Sequence, residues 1–150
     1  MKEKQIKNSI LIGWREWVEL PDLGIGKIKA KIDTGARTSA LHAFDIEPFK
    51  TSRNKNRVRF ALHPIQRNNN YIVYCEADLL AKRNIKNSGG DIEDRYIITT
   101  ALYMGDKKWP IELTLTNRDT MGFRLLLGRT AINKEFLIAP NKSFLVKKYK

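Results

Sequence analysis

Short segments that alternate apolar and polar residues recur along the whole 150-residue chain. Residues 28–32, 57–62 and 109–116 follow this pattern most clearly. A period of two places one face of a β-strand in a core and the other face in solvent. Pro, Gly and Asn separate the segments at intervals of about 8 to 12 residues, which is typical of β-sandwiches and β-barrels. The sequence therefore predicts an all-β fold, with at most one short helix in residues 128–135 and two closing strands around Pro140.

The composition predicts one folded domain spanning residues 1–150. With 42% hydrophobic residues, the chain has enough apolar side chains to bury a core. It contains no apolar run of about 18 residues that would cross a membrane, and its charged N-terminus lacks the apolar stretch of a signal peptide. The single Cys75 cannot form an internal disulfide. We therefore expect a cytoplasmic protein in which Cys75 is a small core residue.

The formal net charge of +12 indicates an attraction to polyanions. Lys and Arg are nevertheless spread along the chain, and no zinc-finger, RRM or helix-turn-helix pattern is present. The charge therefore favours an acidic peptide or protein partner over specific binding of nucleic acid.

The segment 28–40 combines a predicted strand with an abrupt turn at Asp33-Thr34-Gly35. A glycine such as Gly35 permits backbone conformations that other residues resist. A carboxylate on a turn at the end of a rigid strand is well placed for chemistry. An Asp in a turn also commonly caps that turn by accepting backbone hydrogen bonds. Both interpretations of Asp33 remain open at this point.

A second motif, Leu126-Leu127-Gly128-Arg129, stands near the C-terminus. Together with Asp33-Thr34-Gly35-Ala36, it resembles the paired elements of the retropepsin-like aspartic proteases. The surrounding sequence is closer to one bacterial and archaeal branch of that family. This branch is often labelled as ATP-dependent zinc proteases and is associated with ATP-grasp glutamate ligases. The segments that carry this likeness are residues 30–41, Arg95-Tyr96, residues 115–118 and residues 127–131.

The resemblance implies a closed β-barrel and an aspartic endopeptidase. Such an enzyme uses two carboxylates that share one proton, whereas this chain has one Asp-Thr-Gly. The family's solution is a homodimer in which the two Asp33 turns meet on a two-fold axis. Thr34 would then bond across that axis, Gly35 would approach the carboxylates, and Leu126, Leu127 and Gly128 would support the turn. The alternative is a peptide-binding module of the same fold without turnover.

The resemblance also assigns Ala36 and Arg37 to the substrate cleft, and a flap to the Ser88-Gly89-Gly90 segment. An ordinary loop explains those three residues equally well. Retroviral relatives place acidic residues where Arg37-Thr38-Ser39 stands here, so Arg129 loses its expected partner. Arg37, together with Arg95, Arg118 and Arg124, would favour acidic, glutamate-rich peptides. These arginines could equally form structural ion pairs within the chain.

The sequence predicts no metal site and no cofactor. His-Glu-x-x-His, Cys-x-x-Cys and Walker motifs are absent. His42 and His63 are the only histidines, and a site that combines them with a carboxylate is conceivable. We instead expect His42 to pack near the turn and His63 to end a strand before Pro64. The zinc and ATP in the family label therefore find no support in this chain, and the link to an ATP-grasp ligase stays a functional one.

Overall fold

The computed structural model describes residues 9–86, 89–118, 122–132 and 134–146. These residues form ten β-strands and a single-turn 3₁₀ helix, Pro21–Leu23. The strands are β1 (Ile10–Leu20), β2 (Ile25–Asp33), β3 (Ser39–His42), β4 (Phe44–Lys50), β5 (Asn56–Leu62), β6 (Val73–Lys86), β7 (Ile92–Met104), β8 (Lys107–Thr116), β9 (Leu125–Gly128) and β10 (Phe136–Ser143).

Six of the strands close into a barrel in the order β1-β2-β9-β3-β8-β7. The circle is completed where Glu19 of β1 pairs with Tyr103 of β7. Strand β10 pairs in parallel with the first half of β1, and β6, β5 and β4 extend the sheet beyond β7. The predicted closed, all-β architecture is confirmed. No helix in the described part of the chain is long and apolar enough to cross a membrane.

The period-two pattern sorts side chains between the core and the surface as the sequence predicts. On β2, Ile28, Ala30 and Ile32 are buried, whereas Lys27 and Lys31 are exposed. The β1–β2 hairpin turns through the 3₁₀ helix and Gly24, whose φ of 73° lies in the left-handed region. This hairpin matters for function because β2 ends at Asp33.

A buried carboxylate holds the end of the described chain against the barrel. Glu16 is fully buried on β1 and accepts backbone N–H bonds from Gly13 at 2.7 Å, Leu145 at 3.0 Å and Val146 at 3.1 Å. Three such bonds compensate for the loss of hydration that burial of a charge entails. Glu16 therefore fixes both the bulge of β1 near Gly13 and the segment that follows β10.

The sequence allowed one short helix in residues 128–135, but Gly128 ends β9 and the other described residues of this range form turns and a bend. Two of its amides bond to the Asp33 turn: Arg129 donates to the Ala36 carbonyl at 2.8 Å and Thr130 to the Arg37 carbonyl at 3.3 Å. The next two, Ala131 and Ile132, close only local turns three residues back. The tertiary bonds to the Asp33 turn replace the regular ladder of a helix. The expectation of two closing strands was wrong, since β10 runs through Pro140 without a break. Proline is tolerated there because β10 is an edge strand.

Candidate active site

Asp33 lies at the C-terminal end of β2, at the start of the turn that the sequence predicts. Its carbonyl accepts the Ala36 N–H at 3.2 Å, which closes a four-residue turn. The Asp33 side chain is half-buried, and Thr34 and Gly35 are exposed. The turn therefore presents the carboxylate at the barrel surface while the sheet holds its backbone.

Gly35 lies beside the Asp33 carboxylate and does not adopt a left-handed backbone conformation. Its φ is not among the positive values of the chain, so the expectation that the turn needs glycine's conformational freedom was wrong. A Cβ at this position would lie 3.4 Å from Oδ1 of Asp33. Glycine thus keeps the surroundings of the carboxylate open.

Strand β9 supports the turn from behind. It runs parallel to β2, with Leu127 beside Ile32 and Gly128 beside Asp33. Leu127 is buried and Leu126 is half-buried. A Cβ on Gly128 would lie 2.6 Å from the Thr38 carbonyl oxygen, so the close approach of the two segments requires glycine here.

The residues that follow β9 donate hydrogen bonds to backbone carbonyls of the turn. Arg129 donates its N–H to the Ala36 carbonyl at 2.8 Å, and Thr130 Oγ1 donates to the Arg37 carbonyl at 2.7 Å. The Arg129 guanidinium, which lacks the acidic partner of the retroviral enzymes, lies 3.4 Å from the Gly35 carbonyl oxygen. Residues 35–37 are therefore held through their carbonyl groups, and these bonds do not involve the exposed Arg37 side chain.

The arginines near the turn divide into exposed and buried groups. Arg37 and Arg129 are exposed beside the turn, whereas Arg95 and Arg124 are buried. Arg95 pairs with Glu93, as the ion-pair interpretation predicted. Arg124 donates to the neutral Asn69 side chain at 2.6 Å, and the half-buried Arg118 donates its backbone N–H to Nδ1 of His42. Of these residues, only Arg37 and Arg129 present charge at the surface of the turn.

A polar network that the sequence analysis missed links the turn to β7. The Ser39 hydroxyl accepts the Gly128 N–H at 3.0 Å, and the Ser39 carbonyl accepts the Thr114 hydroxyl at 2.8 Å. Arg95 donates to Thr114 Oγ1 at 3.2 Å and to Glu93 Oε2 at 3.3 Å. The only signal in the sequence is a run of polar residues, 37–39, directly after the Asp33-Thr34-Gly35-Ala36 turn.

Glu93 makes this network sensitive to acid. Although desolvation raises its pKa, hydrogen bonds from Thr116 and Arg95 outweigh that effect and hold the pKa of Glu93 below its ordinary value. The stabilisation is complete above the ordinary value of about 4.3 and is lost as the pH falls through the lowered folded-state pKa. We expect the urea midpoint of the wild type to approach that of Glu93→Gln between pH 6 and pH ~3. A difference that stays constant over this range would contradict the assignment.

The hairpin predicted to act as a flap is formed by β6 and β7. Pairing continues to Lys86 and Ile92, so the hairpin tip includes Gly89 and the exposed Gly90, whose φ is 89°. Ser88 lies outside the described residues. The base of the hairpin is near the turn, because Arg83 and Ile97 line a cavity of about 120 Å³ together with Arg37. Ile92, at the start of β7, is 73% exposed.

The two histidines pack against neighbouring residues. His42 is buried near the start of β9, and its Nδ1 accepts the Arg118 N–H at 3.1 Å. The His63 ring stacks on Phe44 with 4.5 Å between centroids. No group of three His, Cys, Asp or Glu residues within the described part of the chain is arranged to hold a metal ion. Cys75 is a buried thiol whose pKa burial raises to about 11.

Relatives of known sequence place this domain inside larger proteins. The chain is 48% identical over 137 residues to a protein of Shewanella halifaxensis named "Probable alpha-L-glutamate ligase", and 46% identical over 135 residues to a protein of that name from Parasynechococcus marenigrum. These matches cover 91% and 89% of this chain. The chain spans only 30% and 28% of those relatives, so their activity as whole proteins belongs to a longer polypeptide.

A solved structure shares the barrel. Protein Lpg0085 of Legionella pneumophila, described as having unknown function, superposes with a TM-score of 0.78 at 28% identity. The superposition covers 93% of this chain and 99% of that protein. Residues 11–149 match the family model of the retropepsin-like aspartic endopeptidase RimB, which confirms the resemblance that the two sequence motifs indicated. The chain belongs to the RimB-like family of retropepsin-like aspartic endopeptidases.

Proposed function

We propose that the chain is an aspartic endopeptidase that works as a homodimer, in which each chain contributes Asp33 to one catalytic pair. The observation that carries this proposal is the placement of Asp33 on a surface turn that Gly128 and Arg129 hold from behind. Membership of a family of aspartic endopeptidases supports peptide hydrolysis as the reaction at this turn. The presence of one Asp-Thr-Gly per chain is the reason for the dimer.

In this mechanism the two Asp33 carboxylates share one proton, because like charges about 3 Å apart cannot both ionise. The ionised carboxylate removes a proton from a water molecule, which attacks the peptide carbonyl. The protonated carboxyl donates its proton to the carbonyl oxygen, which gives a tetrahedral intermediate. The carboxyl that took a proton from water then donates it to the amide nitrogen, and the C–N bond breaks. The other carboxylate takes back a proton from a hydroxyl of the intermediate as the new carboxyl product forms. Thr34, which is exposed next to Asp33, would bond between the two turns in such a dimer.

The dimer requirement predicts that activity falls with dilution. At concentrations below the dissociation constant, dimers decrease with the square of the total protein concentration, so activity per chain should fall in proportion to that concentration. We would measure hydrolysis and sedimentation over the same dilution series. Constant activity per chain in a range where the protein is demonstrably monomeric would overturn the homodimer. A substrate that strengthens association would shift the onset of the decline to lower concentration.

Acidic peptides are the substrate class that the surface charge favours. Arg37 and Arg129 are exposed at the turn, and guanidinium groups bind carboxylates through two parallel hydrogen bonds. Relatives named as glutamate ligases contain a segment similar to this domain, which favours a glutamate-rich peptide. The proposed peptidase would then act on the kind of acidic chain that such a ligase extends.

The charge preference predicts a selective effect of Arg37→Ala. The Arg37 contacts to Thr130 use its backbone carbonyl, so truncation of the side chain leaves the support of the turn in place. KM for a glutamate-rich peptide should rise by on the order of tenfold, which corresponds to a lost charge-assisted bond of about 1.5 kcal/mol. KM for a neutral peptide should change little. Lys50→Ala, which removes an exposed charge on β4, is the control, and an equal rise for both peptides would contradict the preference.

A peptide-binding module without turnover is the second candidate. The names of the relatives favour it, because a domain joined to a ligase could hold an acidic substrate without cleaving it. The two candidates share the barrel and the turn but differ in the need for the Asp33 carboxylate. Comparison of the wild type with Asp33→Asn separates them.

A further inference from the structure

A large groove lies on the outer face of β2, apart from the small cavity beside Arg37. Its volume is about 730 Å³, compared with about 120 Å³ for the cavity at the turn. Trp17, Lys27, Lys29, Gln66 and Tyr71 are among its lining residues, and they define what we call the β2 groove. A volume of this size is in the range of sites that bind small molecules, and it is large enough to admit a peptide side chain.

The β2 groove carries positive charge without an acidic lining residue. The Nζ atoms of Lys27 and Lys29 each lie 5.3 Å from the centroid of the Trp17 ring. The Lys29 ammonium donates to the neutral amide of Gln66 at 3.1 Å. None of the described residues that line the groove is Asp or Glu. The groove is therefore electrostatically complementary to carboxylates.

A buried arginine on the neighbouring strand adds to this charge. Arg124 directly precedes Leu125, which pairs with Ala30 of β2, so Arg124 lies level with Lys29. It is only 6% exposed, and the hydrogen bond described for its side chain goes to neutral Asn69. Its Nε has no hydrogen-bond partner within the described part of the chain. This guanidinium raises the positive potential on the same side of the barrel.

Apolar surface in the groove indicates that the ligand is more than an anion. Ile65 and Tyr71 are 48% and 54% exposed at the groove. Trp17 stacks on Phe144 at 5.7 Å between centroids, which fixes its ring. Burial against these residues would stabilise a bound aromatic side chain, and edge-to-face contacts with the rings of Trp17 and Tyr71 would add to its binding energy.

The row of lysines that begins in the β2 groove continues along one face of β2 toward the turn. Alternate residues Lys27, Lys29, Lys31 and Asp33 lie on the same side of the strand. Their spacing of about 6.6 Å equals that of alternate side chains in an extended peptide. A polypeptide bound along β2 would therefore place its acidic side chains opposite successive lysines.

We propose that the β2 groove is a docking site for an extended acidic segment of a partner protein, with one aromatic side chain in the groove and carboxylates against Lys27 and Lys29. The site provides affinity for a protein ligand away from the peptide bond that Asp33 would cleave. It does not depend on the proposed peptidase activity, since binding alone defines it. The carboxylates of the segment supply the charge and the aromatic side chain supplies the buried apolar area.

The test is a binding titration with a fluorescein-labelled peptide that contains one Phe flanked by two Glu on each side. The protein carries Asp33→Asn so that cleavage cannot remove the probe, and anisotropy is followed at low and high salt. Lys27→Gln and Lys29→Gln should each weaken binding by about fivefold to tenfold, and replacement of Phe by Ala in the peptide should weaken it similarly. The matched control, Lys50→Gln on β4, should leave the affinity unchanged.

Lys29→Gln removes the hydrogen bond between Lys29 and Gln66, whereas Lys27→Gln leaves this bond intact. Weaker peptide binding in both variants, with urea midpoints equal to that of the parent protein, supports the site. Unchanged affinity in both variants would overturn the proposal. Displacement of the peptide by a single-stranded RNA of equal charge at lower concentration would assign the groove to nucleic acid instead. Self-association that Lys27→Gln abolishes would assign it to a second copy of the chain.

Discussion

Replacement of Asp33 by Asn should abolish peptide hydrolysis and leave the barrel intact. The amide has nearly the same size as the carboxyl group, but it cannot remove a proton from water or share a proton with a second carboxylate. Loss of general acid–base catalysis alone lowers rates by about 10² to 10⁴-fold, and loss of the shared proton affects both chains of a dimer. Hydrolysis of a mixed peptide library, measured beside the far-UV circular dichroism spectrum, provides the comparison.

Two outcomes of this experiment separate the candidate functions. Equal cleavage by the wild type and Asp33→Asn would show that a contaminant or another site is responsible. If neither protein cleaves and both bind acidic peptides, the binding-module interpretation replaces the peptidase. Glu47→Gln, an isosteric change at an exposed position on β4, controls for removal of a carboxylate away from the turn.

Replacement of Gly128 by Ala should both destabilise the barrel and impair the turn. The added Cβ would lie 2.6 Å from the Thr38 carbonyl oxygen and 2.9 Å from the Ala36 carbonyl oxygen. Both neighbours are backbone atoms, so relief requires movement of β9 away from the turn. We expect a loss of about 1 to 3 kcal/mol in the free energy of unfolding. A displacement of about 1 Å at a catalytic group can cost about 100-fold in rate.

Gly26→Ala is the matched control for this prediction. Gly26 lies on β2, the strand that pairs with β9, and a Cβ there would meet no atom within 4 Å. Its urea midpoint should therefore stay close to that of the wild type. If Gly128→Ala were as stable and as active as Gly26→Ala, the close packing of β9 behind the turn would not be needed.

The alternating segments allowed the architecture to be predicted before any tertiary information was considered. Period-two patterns in β2, β5 and β8 indicated which side chains enter the core, and Pro21 and Gly24 marked the turn between β1 and β2. These predictions succeed because strand periodicity and turn chemistry are local properties of the chain. The two motifs at Asp33 and Leu126 likewise sufficed to indicate the family.

Tertiary contacts decided how the candidate site is held together. Gly128 bonds to Ser39 across 89 residues, and Thr130 bonds to Arg37 across 93. No local pattern encodes such contacts, which is why residues 128–135 could be mistaken for a helix. The burial of Arg95 and the exposure of Arg37 also depended on the fold. The sequence alone does not distinguish them, but closure of the barrel buries Arg95 against Glu93 and leaves Arg37 exposed at the turn. The reason is that strand pairing, and not the chemistry of a side chain, sets the position of that side chain relative to the core.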